Sequence, residues 1–378
     1  MILTLCSVCA APLPEEAVRC SACATGYCAK RCERSDRRRG GHGKICGAIS
    51  SGGGAEQYHA DKKYKEAVAD AIEDCAEDTA GQTCYICLEG GSAEGLVRMC
   101  ACRGAAGFAH VSCLARQAKV LIEEAEERDL DNDVFDERWR RWETCGLCKQ
   151  DYHGVVACAL GWACWKTYLG RPEANWLRRS AMTALGNGLY DASQHEEALT
   201  VDEARLSMLK RSGASEKAVL DAQHNLATSY GELGQVEKAL SMERDIYAGS
   251  VERLGEDHRD TLSAAGNYAT SLIELGHFEE AKSLLRKTTP VARRVLGESV
   301  DLTLTIRWNY AQSLSKAPDA TLDDLREAVT TFEETAQTAR RLLGDAHPIT
   351  TGIEKSLGES RAALRARETP SPSPSESS

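Results

Sequence analysis

The cysteines of this chain stand in short pairs whose spacing suits metal binding. Most of the 17 cysteines form Cys-x-Cys or Cys-x-x-Cys pairs before Gln150, and His42 and His110 stand among them. Zn²⁺ takes four sulfur or imidazole ligands in a tetrahedron, and a Cys-x-x-Cys turn supplies two of them. Met1–Leu5 is apolar, but Cys6 interrupts it and no basic segment precedes it, which argues against an export signal. We therefore expect reduced thiols that bind metal, rather than disulfides.

The cysteine cluster in residues 81–153 offers eight ligands in four pairs. In a cross-braced arrangement, one zinc ion is held by Cys84, Cys87, His110 and Cys113. The other ion is held by Cys100, Cys102, Cys145 and Cys148. Such interleaving ties distant segments together in a unit that is too small to be stable through apolar burial alone. Each structural zinc contributes on the order of 10–16 kcal/mol to folding.

The spacing of this cluster resembles the RING-CH zinc finger of ubiquitin ligases. PHD fingers share the order of ligands, but one residue between Cys100 and Cys102 and seven more before His110 are typical of RING-CH. The strings Cys84-Tyr-Ile-Cys-Leu-Glu and Val111-Ser-Cys-Leu add to the likeness. The resemblance implies docking of a ubiquitin-conjugating enzyme and positioning of its ubiquitin thioester, with no catalytic residue on this chain.

The same resemblance assigns roles to residues around the ligands. It implies an apolar patch that docks the conjugating enzyme, formed by Ile86, Trp142 and Leu147. Lys149, directly after the last ligand, would contact ubiquitin, and a solvated lysine is an equal alternative. An acidic insertion, Leu121–Arg141, lengthens the stretch before the final pair. We predict that this insertion is helical and borders the docking surface.

Residues 1–50 hold a second set of eight ligands, and the strings Arg19-Cys-Ser-Ala-Cys and Tyr27-Cys resemble a MYND finger. This resemblance implies one zinc ion on Cys6, Cys9, Cys28 and Cys32. It implies another on Cys20, Cys23, His42 and Cys46, so that the chain binds four ions in all. Three features depart from the family: Glu33 replaces a glutamine, no tryptophan precedes His42, and the Cys32–His42 gap is longer.

The C-terminal half repeats at an interval of 42 residues. Asn225-Leu-Ala-Thr-Ser-Tyr, Asn267-Tyr-Ala-Thr-Ser-Leu and Asn309-Tyr-Ala-Gln-Ser-Leu begin 42 residues apart, and a Leu-Gly turn follows each. The last unit is longer, and we place its extra residues in Lys316–Asp319. The repeats resemble the tetratricopeptide repeat of the kinesin light chain type. This resemblance implies a concave face that binds a substrate or adaptor protein, and a purely structural solenoid is the alternative.

The expected fold class is mainly α, with two small cross-braced α+β zinc modules followed by an α-helical solenoid. We divide the chain into a MYND-like finger (1–50), a linker with a short helix (51–80), the RING-CH finger (81–153), an apolar connecting helix (154–176), the repeats (177–366) and a disordered tail (367–378).

Charge and hydropathy narrow the partners. The net charge of −11 and pI near 5.5 argue against nucleic acid as a binding partner. The longest apolar run, Gly154–Trp165, is too short for a bilayer, which needs about 20 residues, so we expect a buried helix and no membrane span. The expected location is the cytoplasm or the nucleus.

Our leading hypothesis is a RING-type ubiquitin ligase whose partners are a conjugating enzyme, ubiquitin, and a protein on the repeats. The rivals are a non-catalytic scaffold and a transcription or chromatin adaptor. Cys75 is unassigned, and Cys158 and Cys164 stand in an apolar run, where we expect packing rather than catalysis. His258 and His347 recur at one turn of the repeat, where we expect a structural hydrogen bond.

Overall fold

The computed structural model describes residues 6–9, 13, 16–91, 94–100, 102–344 and 348–368, which are mainly helical. The chain divides into two compact units, Met1–Ser229 and Tyr230–Ser378. The expected fold class, small cysteine-rich modules followed by a helical array, is confirmed. The apolar start Met1–Leu5, His347, and residues 369–378 of the tail lie outside the described residues.

The N-terminal module, residues 6–51, is a hairpin followed by short helices. Strands β1 (Val18–Arg19) and β2 (Gly26–Tyr27) pair antiparallel. Helix α1 (Lys30–Ser35), a π-helical turn (Asp36–Gly40) and helix α2 (His42–Ser51) follow. Besides cysteines, its buried apolar core includes little more than Tyr27 and Ile49. Such a core is too small to hold the module together, which is the situation in which bound metal contributes folding energy.

Helix α3 (Ala55–Asp74) leads into the second module, residues 84–152. Its buried side is made of small residues, Ala60, Ala67 and Ala71. After the single turn α4 (Ala76–Thr79), the second module contains α5 (Val111–Glu127), α6 (Asn132–Trp139) and a 3₁₀ turn (Arg140–Trp142). The segment predicted to be a helical insertion therefore consists of the end of α5 and the whole of α6.

The chain then returns in helix α7 (Gly154–Tyr168), which packs against α3, so the second module is inserted between two contacting helices. Helix α7 is buried on nearly every side, as its apolar composition predicts. It packs most extensively on α8 (Trp176–Asp191). Glycines allow this approach, because a Cβ at Gly188 would lie 2.5 Å from the Ala157 carbonyl oxygen. One apolar core runs from α3 through the second module to α9 (His195–Arg211).

The remaining helices form the repeat array. They are α10 (Glu216–Glu232), α11 (Val236–Leu254), α12 (Arg259–Glu274), α13 (Phe278–Val295), α14 (Asp301–Ser315), α15 (Leu322–Leu343) and α16 (Pro348–Glu368). Each Leu-Gly landmark ends a helix on a glycine with positive φ, as at Gly255 and Gly297. The extra residues of the last unit are shared between the connection after α14 and the longer α15. Among the described residues, no helix is long and apolar enough to span a membrane.

Candidate metal centres and docking surface

The predicted ligands come together in four groups, and within each group every ligand atom lies within 4.8 Å of the others. The groups of the N-terminal module are Cys6, Cys9, Cys28, Cys32 and Cys20, Cys23, His42, Cys46. Those of the second module are Cys84, Cys87, His110, Cys113 and Cys100, Cys102, Cys145, Cys148. The pairs of each module alternate between its two groups along the chain, which is a cross-braced arrangement.

The distances within the groups fit a tetrahedral zinc ion. With Zn–S bonds of about 2.3 Å, two sulfurs on one ion lie roughly 3.8 Å apart. The Cys9 and Cys28 sulfurs are 3.5 Å apart, and those of Cys102 and Cys145 are 3.7 Å apart. A disulfide would need about 2.05 Å, and all the cysteines are free. The donor set therefore fits a shared cation and not a bridge.

Three of the Cys-x-x-Cys pairs share one backbone turn. In the turn at Cys84, the Leu88 N–H donates to the Cys84 carbonyl at 2.9 Å, and the Cys84 N–H donates to the Glu89 carbonyl at 2.8 Å. The residue after the second cysteine is left-handed in each turn: Ala24, Leu88 and Lys149 have φ of 59°, 64° and 61°. A side chain in this region costs roughly 1–2 kcal/mol, which the hydrogen bonds of the turn itself offset.

These turns also favour the thiolate, which is the form that binds metal. Burial raises the pKa of Cys84, but the backbone N–H groups of Cys87, His110 and Ile86 more than offset this and lower it to about 7. Burial and backbone N–H groups act in the same way on Cys145, whose pKa falls to about 7. In these two turns, the first cysteine is thus prepared for a cation by local backbone geometry.

The two histidines face their groups through opposite ring nitrogens. His110 turns Nδ1 toward the Cys87 and Cys113 sulfurs, at 3.4 and 3.6 Å, and its Nε2 lies 3.2 Å from the Gly90 carbonyl oxygen. His42 turns Nε2 toward the Cys20 and Cys23 sulfurs, at 3.4 and 3.6 Å. His110 therefore has one nitrogen for a cation and one for the protein.

The residues expected to dock a conjugating enzyme differ in exposure. Leu147 is 50% exposed, Ile86 is half-buried and Lys149 is exposed. Trp142 is only 2% exposed, because Tyr168 of α7 packs edge-on against its ring with 5.9 Å between centroids. Of the residues in the predicted patch, Trp142 therefore presents almost no surface to a partner. Leu88, which directly follows the first ligand turn and was not singled out from the sequence, is a further exposed apolar side chain, at 77%.

The acidic insertion packs against helices outside the second module. Phe135 and Trp139 of α6 contact Trp176 with ring centroids 4.9 and 5.5 Å apart. Arg171 pairs with Glu126 of α5 at 2.7 Å. The insertion thus joins the second module to α7 and α8, a role that its composition did not reveal.

The unassigned cysteines and His258 have structural roles. Cys75, Cys158 and Cys164 are buried, and burial raises the pKa of each thiol, to about 12 for Cys158. Thiols held in the protonated form are poor nucleophiles. His258 accepts a hydrogen bond from the Asp260 N–H at 3.1 Å and caps α12, which confirms the predicted structural bond.

The repeated asparagines join neighbouring helices of the array. The side chain of Asn309, the third of these asparagines, donates to the Gly266 carbonyl at 3.1 Å and to Thr270 Oγ1 at 2.9 Å. The landmark asparagine of α14 therefore ties this helix to α12.

Two family models match parts of the chain. Residues 84–126 match the RING-variant domain, and residues 219–260, 261–299 and 320–349 match the tetratricopeptide repeat. The chain therefore contains a RING-variant domain followed by tetratricopeptide repeats. No protein with curated annotation is significantly similar to it.

Solved structures show a partial likeness to the chain. One, of nearly identical TPR-like repeats of the kinesin light chain type from Podosopora anserina, has 21% identity and a TM-score of 0.42, covering 50% of this chain and 88% of that chain. Another, BtubC (BKLC) from P. vanneervenii, has 13% identity and a TM-score of 0.37, covering 71% and 94%. At such scores, the repeat assignment depends on the family model and the helix pattern.

Proposed function

We propose that the chain is a RING-type ubiquitin ligase, which docks a ubiquitin-conjugating enzyme on the RING-variant module and recruits a protein through its repeats. The observation that supports this most is the cross-braced arrangement of the second module's eight ligands. Each of its two groups brings together two ligand pairs that are distant in sequence. The sixteen grouped residues are the proposed zinc ligands. Zinc, when bound, holds these segments together and supplies no reactive group.

The catalysis that we propose is positioning, not covalent chemistry. A thioester on a conjugating enzyme reacts with a lysine amine when the two are held close and oriented. Ile86 and Leu147 stand in the turns of different groups, each between two proposed ligands, and Leu88 directly follows the first turn. We propose these three side chains as the apolar docking patch and Lys149 as its polar edge.

The helices around the module support the second part of the proposal. Because α3 and α7 contact each other and flank the module, the module and the first repeat helices share one core. A protein bound by α8 and α9 would therefore keep a fixed distance from the docked enzyme. The MYND-like nature of residues 1–50 and the domain boundaries given above remain proposals.

An autoubiquitination assay across a panel of conjugating enzymes tests the proposal. We expect product with some of them, and Ile86→Ala and Leu147→Ala should each weaken activity by about 1–2 kcal/mol, which is roughly five- to thirtyfold. Leu254→Ala is a matched control, since Leu254 is 41% exposed and lies in the repeats. Zinc content should be unchanged in all three variants.

One observation favours a rival. The burial of Trp142 removes one residue of the expected patch, so a non-catalytic scaffold is the second candidate. Zinc-loaded protein that is inactive with every conjugating enzyme, and that binds none of them, would establish the scaffold and contradict the ligase.

A further inference from the structure

We infer that Asp36 is a positioning residue for the second metal group of the N-terminal module, where it fixes the ring of His42. This inference rests on the zinc binding proposed above. His42 is buried, and its Nε2 faces the Cys20 and Cys23 sulfurs. If Nε2 is kept for the metal, the ring proton is on Nδ1 and requires an acceptor.

The Asp36 carboxylate lies at ion-pair distance from this nitrogen, outside hydrogen-bond distance, and we assign it as that acceptor. Its Oδ2 lies 3.8 Å from His42 Nδ1, and its side chain is only 13% exposed. The carboxylate is held in place from the other side, because the Tyr27 hydroxyl donates to Oδ2 at 2.9 Å. Tyr27 is fully buried. The phenol O–H of Tyr27 is a hydrogen-bond donor at neutral pH.

The backbone that follows Asp36 leaves room for its carboxylate. Asp36 opens the π-helical turn that ends at Gly40, and a Cβ at Gly40 would lie 2.1 Å from the Asp36 Oδ1. Any side chain at position 40 would therefore displace the carboxylate. Gly41, with φ of 79°, then starts α2 at His42. The glycines thus have one role each: the first makes room for Asp36 and the second turns the chain.

The other histidine provides an internal comparison. His110 is oriented by a neutral backbone carbonyl, that of Gly90, and not by a carboxylate. A carboxylate behind a metal-binding imidazole raises the basicity of the ligand and fixes its tautomer, and its loss usually lowers metal affinity 10–100-fold. Asp36 stands in the Cys32–His42 gap, where the sequence departs from the MYND pattern.

The test uses the full chain loaded with zinc and a colorimetric chelator that takes up released metal. In Asp36→Asn, which keeps the shape and an acceptor for Tyr27, we expect one zinc equivalent to leave 10–100-fold faster while the others are unchanged. Glu16→Gln removes an exposed charge from the same module and should match the wild type. Tyr27→Phe keeps every charge but removes the hydrogen bond to the Asp36 carboxylate. It should accelerate release of the same zinc equivalent by a smaller factor.

A spectroscopic measurement separates positioning from general stability. In protein labelled with ¹⁵N-histidine, the Nδ1 proton signal of His42 should shift in Asp36→Asn and Tyr27→Phe, while the signals of His110 stay in place. Release at the wild-type rate in Asp36→Asn with an unmoved His42 signal would overturn the inference. If Asp36→Asn does not fold, wild-type release from Tyr27→Phe overturns it instead. If the wild-type protein holds only two equivalents of zinc, the N-terminal module does not bind zinc. That result would contradict the zinc binding proposed above for this module, on which the inference rests.

Discussion

Replacing Trp142 with alanine tests whether this indole is a core residue or a docking residue. Its side chain is 2% exposed and contributes to the apolar core that the RING-variant module shares with α7. Truncating a buried tryptophan to alanine costs about 3–5 kcal/mol, because apolar contacts are lost and a cavity remains. A domain is stable by only about 5–15 kcal/mol, so we expect a large loss of stability from this one change.

The assay is equilibrium unfolding in urea, with zinc and a reducing agent present, followed by circular dichroism. Leu147→Ala is the control, since a half-exposed leucine at a surface turn should change stability by about 0.5 kcal/mol or less. Binding to a conjugating enzyme is measured on the same samples. Wild-type stability of Trp142→Ala together with lost binding would refute the reasoning and return Trp142 to the docking patch.

Three further predictions concern packing and charge. In Gly188→Ala, the new Cβ meets the Ala157 carbonyl oxygen at 2.5 Å, so we expect a net loss of about 1–2 kcal/mol in urea unfolding despite the better helix propensity. Gly358→Ala places a Cβ where nothing lies within 4 Å, and should gain about 0.5–1 kcal/mol. Burial raises the pKa of Asp202 from 3.8 to about 6, so the folded state holds this proton more tightly than the unfolded chain does. The contribution of Asp202 to the free energy of unfolding should therefore fall by about 2 kcal/mol as pH rises from 4 to 7, and Asp202→Asn should lose that slope in unfolding measured across this range.

The metal groups could be predicted from sequence because their geometry is set locally. A Cys-x-x-Cys turn presents both sulfurs to one point whatever the rest of the chain does, and three of the pairs share the same backbone turn. The repeats could be predicted for a related reason, since each unit carries its own landmarks, such as Gly255 at a helix end.

What escaped prediction depends on contacts between segments distant in sequence. Trp142 is covered by Tyr168, which belongs to a helix outside the RING-variant module. Helix α3 buries only alanines in its central turns, so its pattern gave little sign that it packs on α7. The apolar side of α6, with Phe135 and Trp139, was hidden by the acidic residues around it.

The insertion of the module between α3 and α7 leads to a last prediction, about fragments. Residues 81–153 include every proposed ligand of the module but lack α7, which contacts α5 and covers Trp142, and also lack α3 and α8, which pack on α7. We therefore expect a fragment of residues 55–232 to unfold in one cooperative transition with two zinc equivalents. The fragment 81–153 should bind zinc yet expose apolar surface, seen as strong binding of a hydrophobic dye and self-association. The same cooperative unfolding in both fragments would show that the helices merely adjoin the module, and the fixed distance between module and first repeat would then lose its physical basis.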